Sequence, residues 1–177
     1  QYLRDRGPLP ESEVLAIARQ VAQALEYAHS HMPPVIHRDI KPANILLEEH
    51  SGRVVVTDFG IAKVLGVTEQ TRTGQMLGTL RYCAPEQLLQ SKALDGRADL
   101  YALGLVMYEM AAGQPFFAET DERELLGRVL RGPGENVPAF PSPVSLEFAA
   151  LVARTIARER EHRYPRATEL LRDIDAC

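Results

Sequence analysis

The chain has 177 residues, 45% hydrophobic and 25% charged, with a formal net charge of −4. That is material for one core, and a length of one domain or a large part of one. Lys and Arg are scattered along it, which excludes the basic footprint of a nucleic-acid binder. Cys83 and Cys177 lie far apart and form no metal-binding spacing, so a reducing compartment fits better than a disulfide framework. No signal peptide and no apolar run long enough to cross a membrane occurs in these residues. The chain opens on Gln1-Tyr2-Leu3 without an initiator Met, and we expect a fragment of a longer protein.

Residues 11–31 read as an amphipathic helix. Val14, Ile17, Val21, Leu25 and Ala28 recur at spacings of three and four, while Arg19, Gln23 and Glu26 lie off that face. Pro10 suits the first turn and Pro33-Pro34 stops the helix. Strands are expected at 45–48 and 54–57, joined by the turn His50-Ser51-Gly52-Arg53. From 58 to about 83 neither helical nor strand period is present, and so long a stretch inside a domain points to a functional loop. Residues 97–112 are apolar on every side, which predicts a buried central helix ended by Gly113 and Pro115. Asp99 near its start is therefore a buried carboxylate in need of hydrogen-bond donors. A helix from about 121 is capped by Asp121, with Glu124 completing a capping box. Pro and Gly fill 132–143 as a connector, and two more helices run over 145–158 and from about 166.

The stretch His37-Arg38-Asp39-Ile40-Lys41-Pro42-Ala43-Asn44 lies between the apolar runs Pro34-Val35-Ile36 and Ile45-Leu46-Leu47. Pro42 and the crowded polar side chains argue against a regular helix. A polar loop held by apolar flanks is a place for catalytic groups, where an exposed loop would need no such flanks. Asp58-Phe59-Gly60 follows the strand Val54-Val55-Val56-Thr57, and Ala84-Pro85-Glu86 closes the long loop. Each tripeptide alone is weak. In order, across nearly the whole chain, they resemble the signature set of the protein kinase superfamily, in its bacterial serine/threonine form.

That resemblance implies a mainly α fold: the large C-terminal lobe of a kinase catalytic domain over 1–177, a helical bundle around a buried central helix with a small β-hairpin. It places an activation segment at 58–86. Asp39 is then the base that accepts the substrate hydroxyl proton, and Lys41 the cation near the transferred phosphoryl group. Asn44 and Asp58 supply oxygens to Mg²⁺, with Mn²⁺ as an alternative, and Leu46 lies under the adenine of ATP. His37 and Phe59 form a packed stack, Asp99 holds the catalytic loop from below, and Glu86 pairs with a buried Arg163. Lys41 and the Gly78-Thr79 pair are of the serine/threonine type, with Thr79 hydrogen-bonding Asp39 and Lys41. Thr71 and Thr73 match the autophosphorylated threonines of bacterial members, whose phosphates would dock on Arg38. Cys83 is an inert small residue of the peptide-binding segment.

The implied partners are proteins offering Ser or Thr, with a homodimer for trans-autophosphorylation, and neither nucleic acid nor a membrane segment. A cytoplasmic location follows, with a parent protein that other segments could anchor to a membrane. The sequence contains no Gly-rich phosphate loop and no Val-Ala-Ile-Lys-like strand. The small lobe is thus expected outside these residues, and the fragment alone should be inactive. Two other readings stand beside this one. A pseudokinase scaffold would have lost Asp39, Asn44 or Asp58, all of which are present. A small-molecule phosphotransferase would lack the long segment ending in Ala-Pro-Glu.

Overall fold

The computed structural model describes residues 6–48, 51–59, 78–89, 94–133, 140–141 and 143–177. Thr71 and Thr73, with most of the long loop, lie outside them. Helix α1 spans Glu11–His29 and buries Val14, Ile17, Ala18, Val21, Ala22, Leu25 and Ala28, the predicted stripe widened by two alanines. It ends two residues before the expected 31. The Val35 N–H turns back to the Ala28 carbonyl at 3.1 Å, and the consecutive prolines between cannot carry the helix on. Pro10 stands at the N-cap rather than within the first turn.

A short 3-10 turn, Pro42–Asn44, leads into strand β1, Ile45–Leu47, which pairs antiparallel with β2, Val54–Val56. Both strands are one residue shorter than predicted. Ile45, Leu47, Val54 and Val56 face the core, and Leu46 and Val55, paired in register, face outward. Gln20 of α1 fastens the hairpin. Its Nε2 donates to the Gly52 carbonyl and its Oε1 accepts from the Val54 N–H, each at 3.0 Å.

The expected structureless stretch contains a tight turn: Tyr82 and Cys83 N–H groups donate to the Thr79 and Leu80 carbonyls, each at 3.2 Å. Helix α2, Pro85–Leu88, follows it. Helix α3, Arg97–Ala112, is the central post, with Leu100, Tyr101, Leu103, Leu105 and Met107 essentially inaccessible. Gly113 ends it at φ 72°, a left-handed turn that a residue without Cβ adopts at no steric cost.

Helix α4, Glu122–Arg131, is capped by Asp121, which accepts from the Arg123 and Glu124 N–H groups at 3.0 Å. The return bond from Glu124 that would close a capping box is not formed; that side chain is exposed. Helix α5, Leu146–Thr155, ends three residues before the expected 158, helix α6 spans Ala167–Ala176, and the starts of both are met by α1. The Glu11 carboxylate accepts from the Ser145 N–H and Oγ at 2.7 Å each, and Glu26 Oε2 accepts from the Thr168 N–H at 3.1 Å. Two carboxylates on one helix thus satisfy or orient the starts of two others, where exposed N–H groups favour negative charge.

Candidate active site

The loop at 37–44 is held from beneath by α3. Asp99 is 1% exposed; its Oδ2 accepts from the His37 N–H and its Oδ1 from the Arg38 N–H, both at 2.8 Å. Arg38 has φ 67°, a left-handed conformation costing on the order of 1–3 kcal/mol for a residue with a Cβ. Two hydrogen bonds to one carboxylate, each contributing roughly 1.5–3 kcal/mol, offset that cost and fix the turn. His29, in the last turn of α1, places Nε2 2.8 Å from Asp99 Oδ2, so the same carboxylate joins α1, α3 and the loop.

Above this base the polar side chains converge. Lys41 Nζ lies 2.9 Å from Asp39 Oδ2 and donates to Thr79 Oγ1 at 2.8 Å. Asn44, 6% exposed, donates Nδ2 to the Asp39 carbonyl at 2.8 Å and to Asp39 Oδ2 at 3.1 Å. The carboxylate of Asp39 is therefore gripped by a cation and an amide while remaining 18% accessible.

The second half of the site comes from the hairpin. Its register sets Ile45 opposite Val56, so Asn44 and Asp58 leave the sheet at the same end. The Thr57 N–H donates to the Asn44 carbonyl at 2.9 Å and ties the two exits together. His37 Nε2 lies 2.9 Å from the Thr57 carbonyl, and the Asp39 N–H donates to His37 Nδ1 at 3.3 Å. A carbonyl only accepts and an amide N–H only donates, so the ring proton sits on Nε2. The His37 and Phe59 rings pack with centroids 4.4 Å apart. Asp58 is exposed with φ 58°, and Leu46 is 54% exposed on the outer face of the hairpin. Asn44 has its Nδ2 engaged, leaving an amide oxygen beside the Asp58 carboxylate's end of the sheet. That is a pair of hard oxygen donors, of the type a divalent cation such as Mg²⁺ takes.

The third part is the end of the long loop. Arg163, with a side chain at 0% exposure, donates Nη1 and Nη2 to Glu86 Oε1 and Oε2 at 2.7 and 3.0 Å. Its Nε and Nη2 also donate to the Ala157 and Arg158 carbonyls at 2.7 and 2.8 Å, and its guanidinium stacks 4.5 Å from the Tyr101 ring. Burial pushes the Tyr101 hydroxyl well above the usual tyrosine range, against the opposing pull of Arg163. Arg38 is half-buried, and its Nε is buried without a hydrogen-bond partner among the described residues. Cys83 is half-buried, its thiol 3.6 Å from the Thr79 carbonyl.

The structure thus brings together Asp39, Lys41, Asn44 and Thr79, then His37, Phe59 and Asp58 along the hairpin exit, and then Glu86 with Arg163. Two contributors escaped the sequence reading. His29 lies four residues after Leu25, at the edge of the apolar stripe, where a histidine reads as an ordinary helix end. Gln87 donates to the Arg38 carbonyl at 3.1 Å. Its position three residues after Ala84, in a Pro-led turn, is the third residue of a capping signal that could have been noticed.

A carboxylate braced by a lysine and an amide thus stands at the open end of a short hairpin on a mainly α fold. The family described as "Protein kinase domain" matches residues 1–173. The chain belongs to the protein kinase domain family. It is 36% identical over 98% of its length to the probable serine/threonine-protein kinase PknB of Lactococcus lactis, of which it covers 27%. It is 35% identical over 98% of its length to serine/threonine-protein kinase PrkC of Bacillus subtilis, covering 26% of that protein. With serine/threonine-protein kinase A of Synechocystis it shares 38% identity over 96% of its length and 34% of the relative's. The chain therefore spans a quarter to a third of the length of these relatives. Members of this family use ATP and a divalent metal and act on proteins. No helix among the described residues is long and apolar enough to cross a membrane.

Proposed function

We propose that residues 1–177 are the large C-terminal lobe of a serine/threonine protein kinase that transfers the γ-phosphate of ATP to Ser or Thr hydroxyls of proteins. The observation that carries this is the grip on Asp39 by Lys41 and Asn44, with Lys41 also bound to Thr79. Phosphoryl transfer needs positioning and charge neutralisation more than covalent chemistry, and this cluster supplies both. Asp39 Oδ accepts the proton of the substrate hydroxyl and aims its oxygen. Lys41 holds positive charge where negative charge builds on the transferred group. Thr79 fixes the Lys41 ammonium and lines the start of the peptide site. Asn44 and Asp58 hold Mg²⁺ or Mn²⁺, which neutralises phosphate charge when bound. Leu46, exposed beside Val55, offers an apolar floor for adenine. Arg38 Nε, buried without a partner among the described residues, supports a role as receiver of phosphates on Thr71 or Thr73, added in trans within a homodimer.

The Gly-rich loop and the ATP-positioning lysine of the family are not in these residues. The proposed activity therefore belongs to a longer polypeptide, with this lobe in the cytoplasm where ATP is. The test incubates the full-length protein with γ-labelled ATP and a protein substrate, beside an Asp39→Asn variant. Label should enter Ser and Thr, and the variant should lose about 10²–10⁴ in rate. Transfer that persists in the variant would remove Asp39 from this role. Phosphopeptide mapping that found Thr71 and Thr73 bare in the active protein would sink the regulatory part.

A further inference from the structure

Gln87 joins two parts of the molecule that the catalytic reading treats separately. It is the third residue of α2, at the end of the long loop, and its side-chain amide is bonded at both ends. Oε1 accepts from the Ala84 N–H at 2.9 Å and Nε2 donates to the Arg38 carbonyl at 3.1 Å. Chemistry fixes this orientation, since the Ala84 N–H can only donate and the Arg38 carbonyl can only accept. The carbonyl it grips belongs to the peptide unit whose nitrogen is that of Asp39. The same residue, Arg38, has φ 67° and is held at its N–H by Asp99 at 2.8 Å. The left-handed turn is thus clamped on both sides: by a carboxylate from α3 at the N–H, and by an amide from the Ala-Pro-Glu segment at the C=O.

We infer that Gln87 is a positioning residue that couples the order of the peptide-binding segment to the aim of Asp39. This inference rests on the proposed kinase activity. When the segment around Ala84 is in place, the amide has its acceptor role satisfied and its Nε2 is directed at the Arg38 carbonyl. When the segment shifts, the carbonyl loses its donor and the peptide plane preceding Asp39 is held only by the longer bond from the Asp39 N–H to His37 Nδ1, at 3.3 Å. A residue that only capped the short helix would need an acceptor alone.

That difference supplies the test. In Gln87→Glu the shape is kept and the acceptor for Ala84 is kept, indeed strengthened by its charge at a helix start. The donation to Arg38 is lost, and a carboxylate oxygen faces a carbonyl oxygen instead. In the full-length protein, this variant should melt somewhat lower for the lost bond but stay folded, with its KM for ATP within about twofold. Its kcat should fall about 10- to 100-fold, the size of a displaced catalytic group. Amide exchange across 37–44 should quicken. A Gln87→Glu variant with unchanged kcat and unchanged exchange would overturn the inference and leave a helix cap. Absence of phosphate transfer by the unaltered protein would instead sink the proposed activity, and the exchange comparison would still decide the clamp. Should Gln87→Glu fail to fold, Gln87→Met, which keeps the length but can donate nothing to the Arg38 carbonyl, is read in the same way. A fall in kcat with quickened exchange across 37–44 upholds the clamp, and unchanged values overturn it.

Discussion

Replacing Arg163 by Ala tests the physical account of how the end of the long loop is anchored. The guanidinium has no solvent exposure and makes a two-pronged bond to Glu86, whose side chain is 15% exposed. It also satisfies the Ala157 and Arg158 carbonyls and covers the Tyr101 ring. Removal strands a mostly buried carboxylate and two carbonyls, and leaves a void against an aromatic face. Breaking a buried pair from one side costs about 3–5 kcal/mol. Against a domain stability of roughly 5–15 kcal/mol, that is a large share. Glu86→Gln should cost less, because Arg163 keeps its carbonyl partners and the neutral amide still accepts one bond. The assay is urea unfolding of both single variants and the double variant. The two single effects should be non-additive by about 1–3 kcal/mol, as for groups in one network. An Arg163→Ala cost below about 1 kcal/mol, the size of an exposed pair, would refute the reasoning.

Two further outcomes can be checked by melting experiments. The Asp95 carboxyl is raised by partial burial but held below the ordinary aspartate range by the stronger combined pull of its Arg97 hydrogen bonds and charge, at 2.7–3.1 Å. A depressed carboxylate stabilises the fold above its unfolded pKa of about 4, and this is lost as pH falls through the lower folded value. Asp95→Asn should therefore melt below the unaltered protein at pH 7, and the gap should close in acid; a gap that widened in acid would contradict the sign. Glu26→Ala removes the acceptor for the Thr168 N–H at the start of α6 and should destabilise by about 1 kcal/mol, with exchange quickening first in α6. An unchanged α6 would show that burial of Leu170 and Ile174 alone secures that helix.

Much of the scaffold was legible in the chain because it rests on local periodicity. The stripe Val14, Ile17, Val21, Leu25 and Ala28 defines α1, the all-round apolar run defines α3, and Gly113 ends it by a backbone conformation that glycine supplies. The candidate site was legible for a different reason: His37-Arg38-Asp39, Asn44, Asp58-Phe59-Gly60 and Ala84-Pro85-Glu86 are short motifs whose order alone carries the resemblance. Helix ends were less so. Their limits depend on groups far along the chain, as where Glu11 meets Ser145 and Glu26 meets Thr168.

What the sequence by itself determined is which residue types exist and their local order: an acid, a lysine and an amide on a loop too crowded and Pro-broken to be helical, and a carboxylate on a helix with no polar face. Only the tertiary structure decided that this carboxylate, Asp99, reaches two N–H groups some 60 residues earlier, 61 and 62 positions away. It likewise decided that Gln87 meets the Arg38 carbonyl across 49 positions. Hydrogen bonds are directional and short, so such a partner is fixed by where the packed helices bring the chain back, and no periodicity in the residues records it.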